Sequence, residues 1–184
     1  LQPKPTDIFI GTPPLAFTFG LGAGAVFPAS VGAASVICDQ PGFDVLADTI
    51  ARHKATTLFT SPTGYRALLK IYDARLASLH TCVSAGEHLP QATSDQWFER
   101  TGIRIIDGIG STEMIHIFVS ARGDDIRPGA TGKAVPGYEA TLLDDNDAPF
   151  EGEGAGRLAI RGPTGCRYLA DERQKNYVID GWNV

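Results

Sequence analysis

The apolar positions of this chain fall into two textures, and the change between them lies near Arg122. From Leu15 to Gly110, helical spacing alternates with short apolar runs, separated by turn residues. Phe43, Leu46, Ala47 and Ile50 stand at i, i+3, i+4 and i+7, the buried stripe of an amphipathic helix. Residues 56–61 then form a run short and apolar enough for a buried strand. Pro62 suits the opening of a helix, where its missing N–H leaves no bond unmade, and Tyr65, Leu68, Leu69 and Tyr72 supply that helix with a buried face. Residues 81–85 and 103–107 read as further strands, with a helix near 91–100 between them. This alternation predicts an α/β fold: a mostly parallel sheet flanked by helices.

After Arg122, Gly and Pro punctuate short apolar pieces at 139–143 and 157–161, and the turns between them are acidic. The pattern predicts a small β-rich lobe, so the chain divides into an α/β unit at 1–121 and a lobe at 122–184, with a helix near 171–178. The run Asp144-Asp145-Asn146-Asp147 lacks the Gly and the distal Glu of a calcium loop, and reads as a solvated hairpin turn.

Composition narrows the function. With 184 residues, 43% hydrophobic and 20% charged, the chain can bury a core without disulfides or metal staples. A net charge of −5 with scattered Lys and Arg argues against nucleic acid as a partner. Residues 8–38 carry no charge, yet Pro13, Pro14 and Pro28 interrupt them, Gly20, Gly22, Gly24 and Gly32 dilute them and no basic flank follows. They read as a buried helix and strand, not a membrane span. Cys38, Cys82 and Cys166 form no C-x-x-C pair, and read as buried thiols of a cytoplasmic protein. The first five residues form no signal peptide, and the missing start Met points to a fragment.

The chemistry concentrates in Asp107-Gly108-Ile109-Gly110-Ser111-Thr112-Glu113-Met114, a Gly-rich turn after a predicted parallel strand. Ligands of open α/β sheets bind at that end of the strands. Glycines admit close backbone approach, hydroxyls can donate to phosphate oxygens, and a carboxylate can hold magnesium. The same residues also suit an exposed turn that caps a helix, with Ser111 or Thr112 as the cap. His116 is the lone polar side chain of residues 115–119, a setting that favours a core or pocket role over catalysis. A hydrolase built on Ser111 and His116 lacks both the G-x-S-x-G pattern and a third triad member.

This segment resembles the glycine-rich "YGxTE" motif of the adenylate-forming superfamily, with Ile109 in place of the usual Tyr. The string DGIGSTEMIHIF at 107–118 is similar to the variant of benzoate-CoA and 2-aminobenzoate-CoA ligases. PLAFTFGL at 14–21, SAGE at 84–87, Thr131-Gly132-Lys133, Gly156-Arg157-Leu158 and Gly181-Trp182 match further family segments in order. The runs GPTGCRY at 162–168 and LADER at 169–173 look most like the 2-aminobenzoate subgroup. The resemblance implies part of the N-terminal domain of an AMP-forming ligase that uses ATP, Mg2+ and CoA on a small aromatic carboxylate. Thr112 would contact the AMP phosphate and Glu113 would hold magnesium. Gly86, Glu87, Asp107, Gly108 and Ile109 would surround adenine, with Gly110 and Ser111 completing the nucleotide site. Phe17, Thr18, Phe19, Tyr65, Ala85, Gly110, His116 and Ile117 would line the aryl pocket. The phosphate loop ending in Lys, the TGD aspartate and the C-terminal domain of such ligases have no counterpart in these 184 residues. A module that binds nucleotide or aromatic acid without turnover is the alternative.

Overall fold

The computed structural model describes residues 1–38, 42–150 and 152–184. Its larger sheet contains β1 (Ile8–Gly11), β2 (Ala34–Val36), β3 (Thr57–Thr60), β4 (Thr81–Ala85), β5 (Ile106–Gly110), β6 (Ile117–Ser120) and β7 (Lys133–Ala134), in the order β2-β1-β3-β4-β5-β6-β7. The first five strands are mutually parallel, as expected. β6 runs antiparallel to β5 and β7 antiparallel to β6, so β5 turns straight back into β6 without a crossover helix. β2 closes one side of the sheet as an edge strand, with Ala34 and Ser35 exposed.

Alternation along the strands divides the core between two faces. Ile10, Leu58 and Cys82 point to one side, where α3 (Phe43–His53), α4 (Pro62–Lys70) and α5 (Gln91–Thr101) cover them with Leu46, Ile50, Leu68 and Trp97. Phe9, Phe59 and Val83 point to the other side, under α1 (Thr18–Leu21) and α2 (Phe27–Val31) with Phe19 and Phe27. The helix stripes read from the sequence are the buried ones, except that α4 stops at Lys70 and Tyr72 packs from beyond its end. The strand expected at 103–107 begins at Ile106, because Gly102 leaves α5 in the left-handed region and Thr101 Oγ1 accepts from Ile103 N–H.

The second sheet is antiparallel, formed by β8 (Glu139–Leu143), β9 (Pro149–Phe150), β10 (Arg157–Arg161), β11 (Val178–Ile179) and β12 (Trp182–Asn183) in the order β11-β12-β10-β8-β9. Asp144 turns the β8–β9 hairpin by accepting from the N–H groups of Asn146 and Ala148, the solvated turn the sequence suggested. The helix expected at 171–178 is the short α6 (Gln174–Tyr177), since Val178 and Ile179 pair with β12 instead. Met114, Phe118, Val119 and Ile160 form a third cluster that joins the two sheets. Cys82 is fully buried, whereas Cys38 and Cys166 are only half-buried, so the expectation of three buried thiols holds for one. Among the described residues no helix is long and apolar enough to cross a membrane.

Candidate active site

The glycine-rich segment lies inside a hairpin. β5 extends through Gly110, and the pairing with β6 shifts register between Ile109 and Gly110. Two of its glycines are required by the closeness of β6. A Cβ on Gly108 would sit 2.6 Å from the Ile117 side chain, and one on Gly110 would sit 2.6 Å from the His116 carbonyl oxygen. No helix follows the motif, which corrects the helix-cap alternative. Ser111 Oγ accepts from Met114 N–H at 3.2 Å, Ile115 adopts φ +74°, and the chain turns into β6. Thr112 is left exposed at the tip, with Glu113 partly exposed beside it.

A cleft of about 170 Å³ opens at the carboxyl ends of the strands. Phe17, Phe19 and Ile117 form its apolar wall, and Ala85, Gly86 and Gly110 its floor. Thr18, Ser111, Thr112 and His116 bring polar atoms to it. Gly86 turns the chain out of β4 at φ +89°, a region that glycine enters without penalty. The Phe17 ring, at 63% exposure, forms the outer lip.

His116 lies within an aromatic cage, with ring centroids 4.7 Å from Phe27, 5.6 Å from Phe19 and 6.5 Å from Phe59. Its Nε2 is buried with no hydrogen-bond partner among the described residues. Burial lowers its pKa below the usual imidazole value, and the Phe19 backbone works against that shift. The ring fits because residue 22 is glycine, where a Cβ would lie 2.5 Å from its Cδ2. Gly22 opens a π-helical turn, Gly22–Val26, that links α1 to α2, and Phe27 N–H bonds back to Gly22 carbonyl. Pro28 supplies the cause: it has no N–H, and its ring would strike the carbonyl four residues back in a regular α-helix.

Of the nucleotide-side candidates, Gly86, Gly110, Ser111 and Thr112 line the cleft, whereas Glu87, Asp107, Gly108 and Ile109 lie outside its lining near the ends of β4 and β5, and Asp107 borders a separate pocket with His88 and Thr131. Ile109 is 41% exposed, an apolar face beside the tip. Glu87 is directed at the first turn of α4, where Thr63 Oγ1 donates to it at 2.7 Å and lowers its pKa. Asp107 is half-buried, and desolvation raises its pKa although the Ser84, Gly108 and Thr131 groups oppose the rise. Tyr65 does not join the cleft. It is 0% exposed in the helix-side core, its hydroxyl donates to the Val83 carbonyl at 3.0 Å, and its ring packs edge-on against Trp97.

Glu113 Oε1 accepts from Tyr168 Oη at 2.7 Å, which holds its pKa below the usual carboxylate value. The sequence reading missed this partner. Its only signal was the position of Tyr168 at the end of GPTGCRY, since the pairing spans 55 residues. No group of three or more His, Cys, Asp or Glu side chains among the described residues could hold a metal by itself. A single ionised carboxylate fits Mg2+ nonetheless, because that ion keeps several waters and shares one or two carboxylates with substrate phosphates.

A mixed sheet with its cleft at the strand carboxyl ends, joined to an antiparallel second sheet, is the architecture of the N-terminal domain of adenylate-forming enzymes. The chain belongs to the AMP-binding enzyme family, which matches residues 1–168. It is 39% identical to the benzoate–CoA ligase of Thauera aromatica over 86% of its own length and 31% of that protein's. To the anthranilate–CoA ligase of Pseudomonas aeruginosa it is 31% identical, over 96% of its length and 35% of that protein's. The crystal structure of the anthranilate CoA ligase AuaEII in complex with anthranoyl-AMP superposes with a TM-score of 0.91 at 38% identity, covering 98% of this chain and 36% of that one. The chain thus spans about a third of the relatives it matches.

Proposed function

We propose that this chain is the part of an AMP-forming aryl-carboxylate CoA ligase that seats the aryl acid and its adenylate. In that reaction a carboxylate oxygen attacks the α-phosphorus of ATP and pyrophosphate leaves. The CoA thiol sulfur then attacks the acyl carbon, its proton is lost to base or solvent, and AMP leaves. The substrate carboxylate is already nucleophilic, so the protein's tasks are positioning and charge stabilisation. The observation that carries the reading is the cleft, aromatic along one wall and bounded by the Thr112 and Ser111 hydroxyls at the hairpin tip. Its volume of about 170 Å³ suits one ring, given that an apolar cavity of about 150 Å³ accepts benzene.

Thr112 would donate to the α-phosphate, and Glu113 would hold Mg2+, which when bound neutralises charge on the phosphates. Gly86, Glu87, Asp107, Gly108 and Ile109 would enclose adenine, with Ile109 as an apolar wall. The similarity to a benzoate–CoA ligase and an anthranilate–CoA ligase supports an aryl substrate. We favour 2-aminobenzoate, because its ortho amino group can donate to Thr18 Oγ1 or to neutral His116, whose Nε2 otherwise has no partner among the described residues. The half-buried or buried thiols and the absence of a spanning helix among the described residues are compatible with a cytoplasmic enzyme.

The test is kcat/KM of the intact enzyme for 2-aminobenzoate, benzoate and octanoate. The aryl acids should prevail over octanoate, and Thr18→Val should reduce the preference for 2-aminobenzoate over benzoate by about tenfold, since a site built to bond a polar group discriminates strongly against its loss. Preference for octanoate would refute the aryl pocket. ATP–pyrophosphate exchange separates turnover from mere binding of the acid.

A further inference from the structure

The two runs GPTGCRY and LADER have no part in the cleft, yet the structure folds them onto the hairpin tip. Tyr168 Oη donates to Glu113 Oε1 at 2.7 Å, and Thr164 Oγ1 donates to the Met114 carbonyl at 2.9 Å. Adjacent residues of the tip are thus held by one loop. That loop is itself braced at several points. Tyr138 Oη lies 2.5 Å from Thr164 Oγ1, and since Thr164 donates to Met114, Tyr138 is the donor to Thr164. Gln174 Oε1 accepts from Tyr168 N–H at 2.7 Å. The Tyr168 ring packs edge-on against Tyr177 at 5.4 Å and under the Arg173 guanidinium at 5.0 Å, and Asp171 binds Arg173 through both carboxylate oxygens.

A carboxylate offers two oxygens and about four acceptor sites. Tyr168 occupies one site on Oε1, and the Ser111 hydroxyl and the Glu113 N–H also interact with the carboxylate, so the group's rotation is fixed while acceptor sites are left over for a cation. Without such a partner a half-exposed Glu at a turn samples several rotamers, and ordering it would cost binding free energy. We propose that Tyr168 is a positioning residue that orients Glu113 toward the cation accompanying ATP, with the segment from Thr164 to Gln174 as its brace. The proposal rests on the ligase reading for the identity of the ligand. The clamp itself rests on the bonds between the second sheet's loop and the tip.

Tyr168→Phe keeps the ring and removes only the donor. In the 184-residue chain, the variant should retain its melting temperature, while amide exchange at Glu113, Met114 and Ile115 accelerates and exchange in β3 and β4 does not. In the intact enzyme, the Mg2+ concentration for half-maximal ATP–pyrophosphate exchange should rise about tenfold at saturating acid, the loss usual when a partner of a metal-binding carboxylate is removed. KM for the aryl acid should stay within twofold of its original value, by the separation of the two sites. Unchanged exchange at the tip, or an unchanged Mg2+ requirement in an active enzyme, overturns the proposal. If the unsubstituted intact enzyme shows no exchange with any aryl acid, the ligase reading fails, and the amide-exchange arm still decides whether Tyr168 orders Glu113.

Discussion

His116 illustrates how one residue links packing to chemistry. Burial among Phe19, Phe27 and Phe59 lowers its pKa, so at neutral pH it is an uncharged ring at the cleft. The unfolded chain takes up the imidazole proton more readily than the folded one, so stability is lost as pH falls from about 6.5 toward the lowered folded value. The melting temperature should therefore drop between about pH 7 and pH 5, and His116→Phe should flatten part of that slope. A slope identical in the variant would assign the effect to other groups. Tyr65 shows the limit of reading residues singly. A Tyr beside a strand serves equally well as pocket wall or as core, and only the direction in which α4 faces, set by Leu68 and Leu69 against Trp97, sends it inward. Tyr65→Phe should cost about 1 kcal/mol in denaturant unfolding, from the lost bond to Val83, and leave the substrate preference of the intact enzyme unaltered. A shift in that preference would restore Tyr65 to the pocket.

Among the elements, α3, α4, α5, β3 and β4 were legible because each carries its own local pattern, whereas residues 8–38, read as one buried helix and one buried strand, contain two strands, the second an exposed edge, with α1, the π turn and α2 between them. The hairpin at 106–120 was only half legible. Its glycines marked a close backbone approach, but the approaching group is the returning strand β6, whose antiparallel direction no local pattern records. Likewise the π turn at Gly22–Val26 follows from a proline whose effect depends on the helix continuing through it. Gly22→Ala tests that element: the new methyl must displace the His116 ring, so stability should fall by about 1–3 kcal/mol and the affinity for aryl acid should weaken with it. Lost stability with unchanged affinity would show that the cage supports the fold without shaping the cleft.

At the scale of the molecule, the two sheets meet through Met114, Phe118, Val119 and Ile160, directly behind the signature tip, so the lobe is part of the site's support. The Tyr168–Glu113 contact escaped the sequence for the same reason: it crosses between the sheets. If the phosphate-binding groups implied by the family resemblance are not supplied by these 184 residues, pyrophosphate departure is poorly stabilised, since loss of even one such donor costs a factor on the order of a hundred in rate. The chain alone should therefore yield no detectable aryl-CoA from acid, ATP and CoA, and any product would show that those groups are dispensable. The edge at β2 bears on handling the chain in solution. Among the described residues no strand pairs with its outer side, and exposed Ile37 follows it directly, a combination through which sheets of separate molecules can join. Preparations of the chain should thus self-associate with rising concentration, as sedimentation would register, and a lysine at Ser35 should keep the molecules apart.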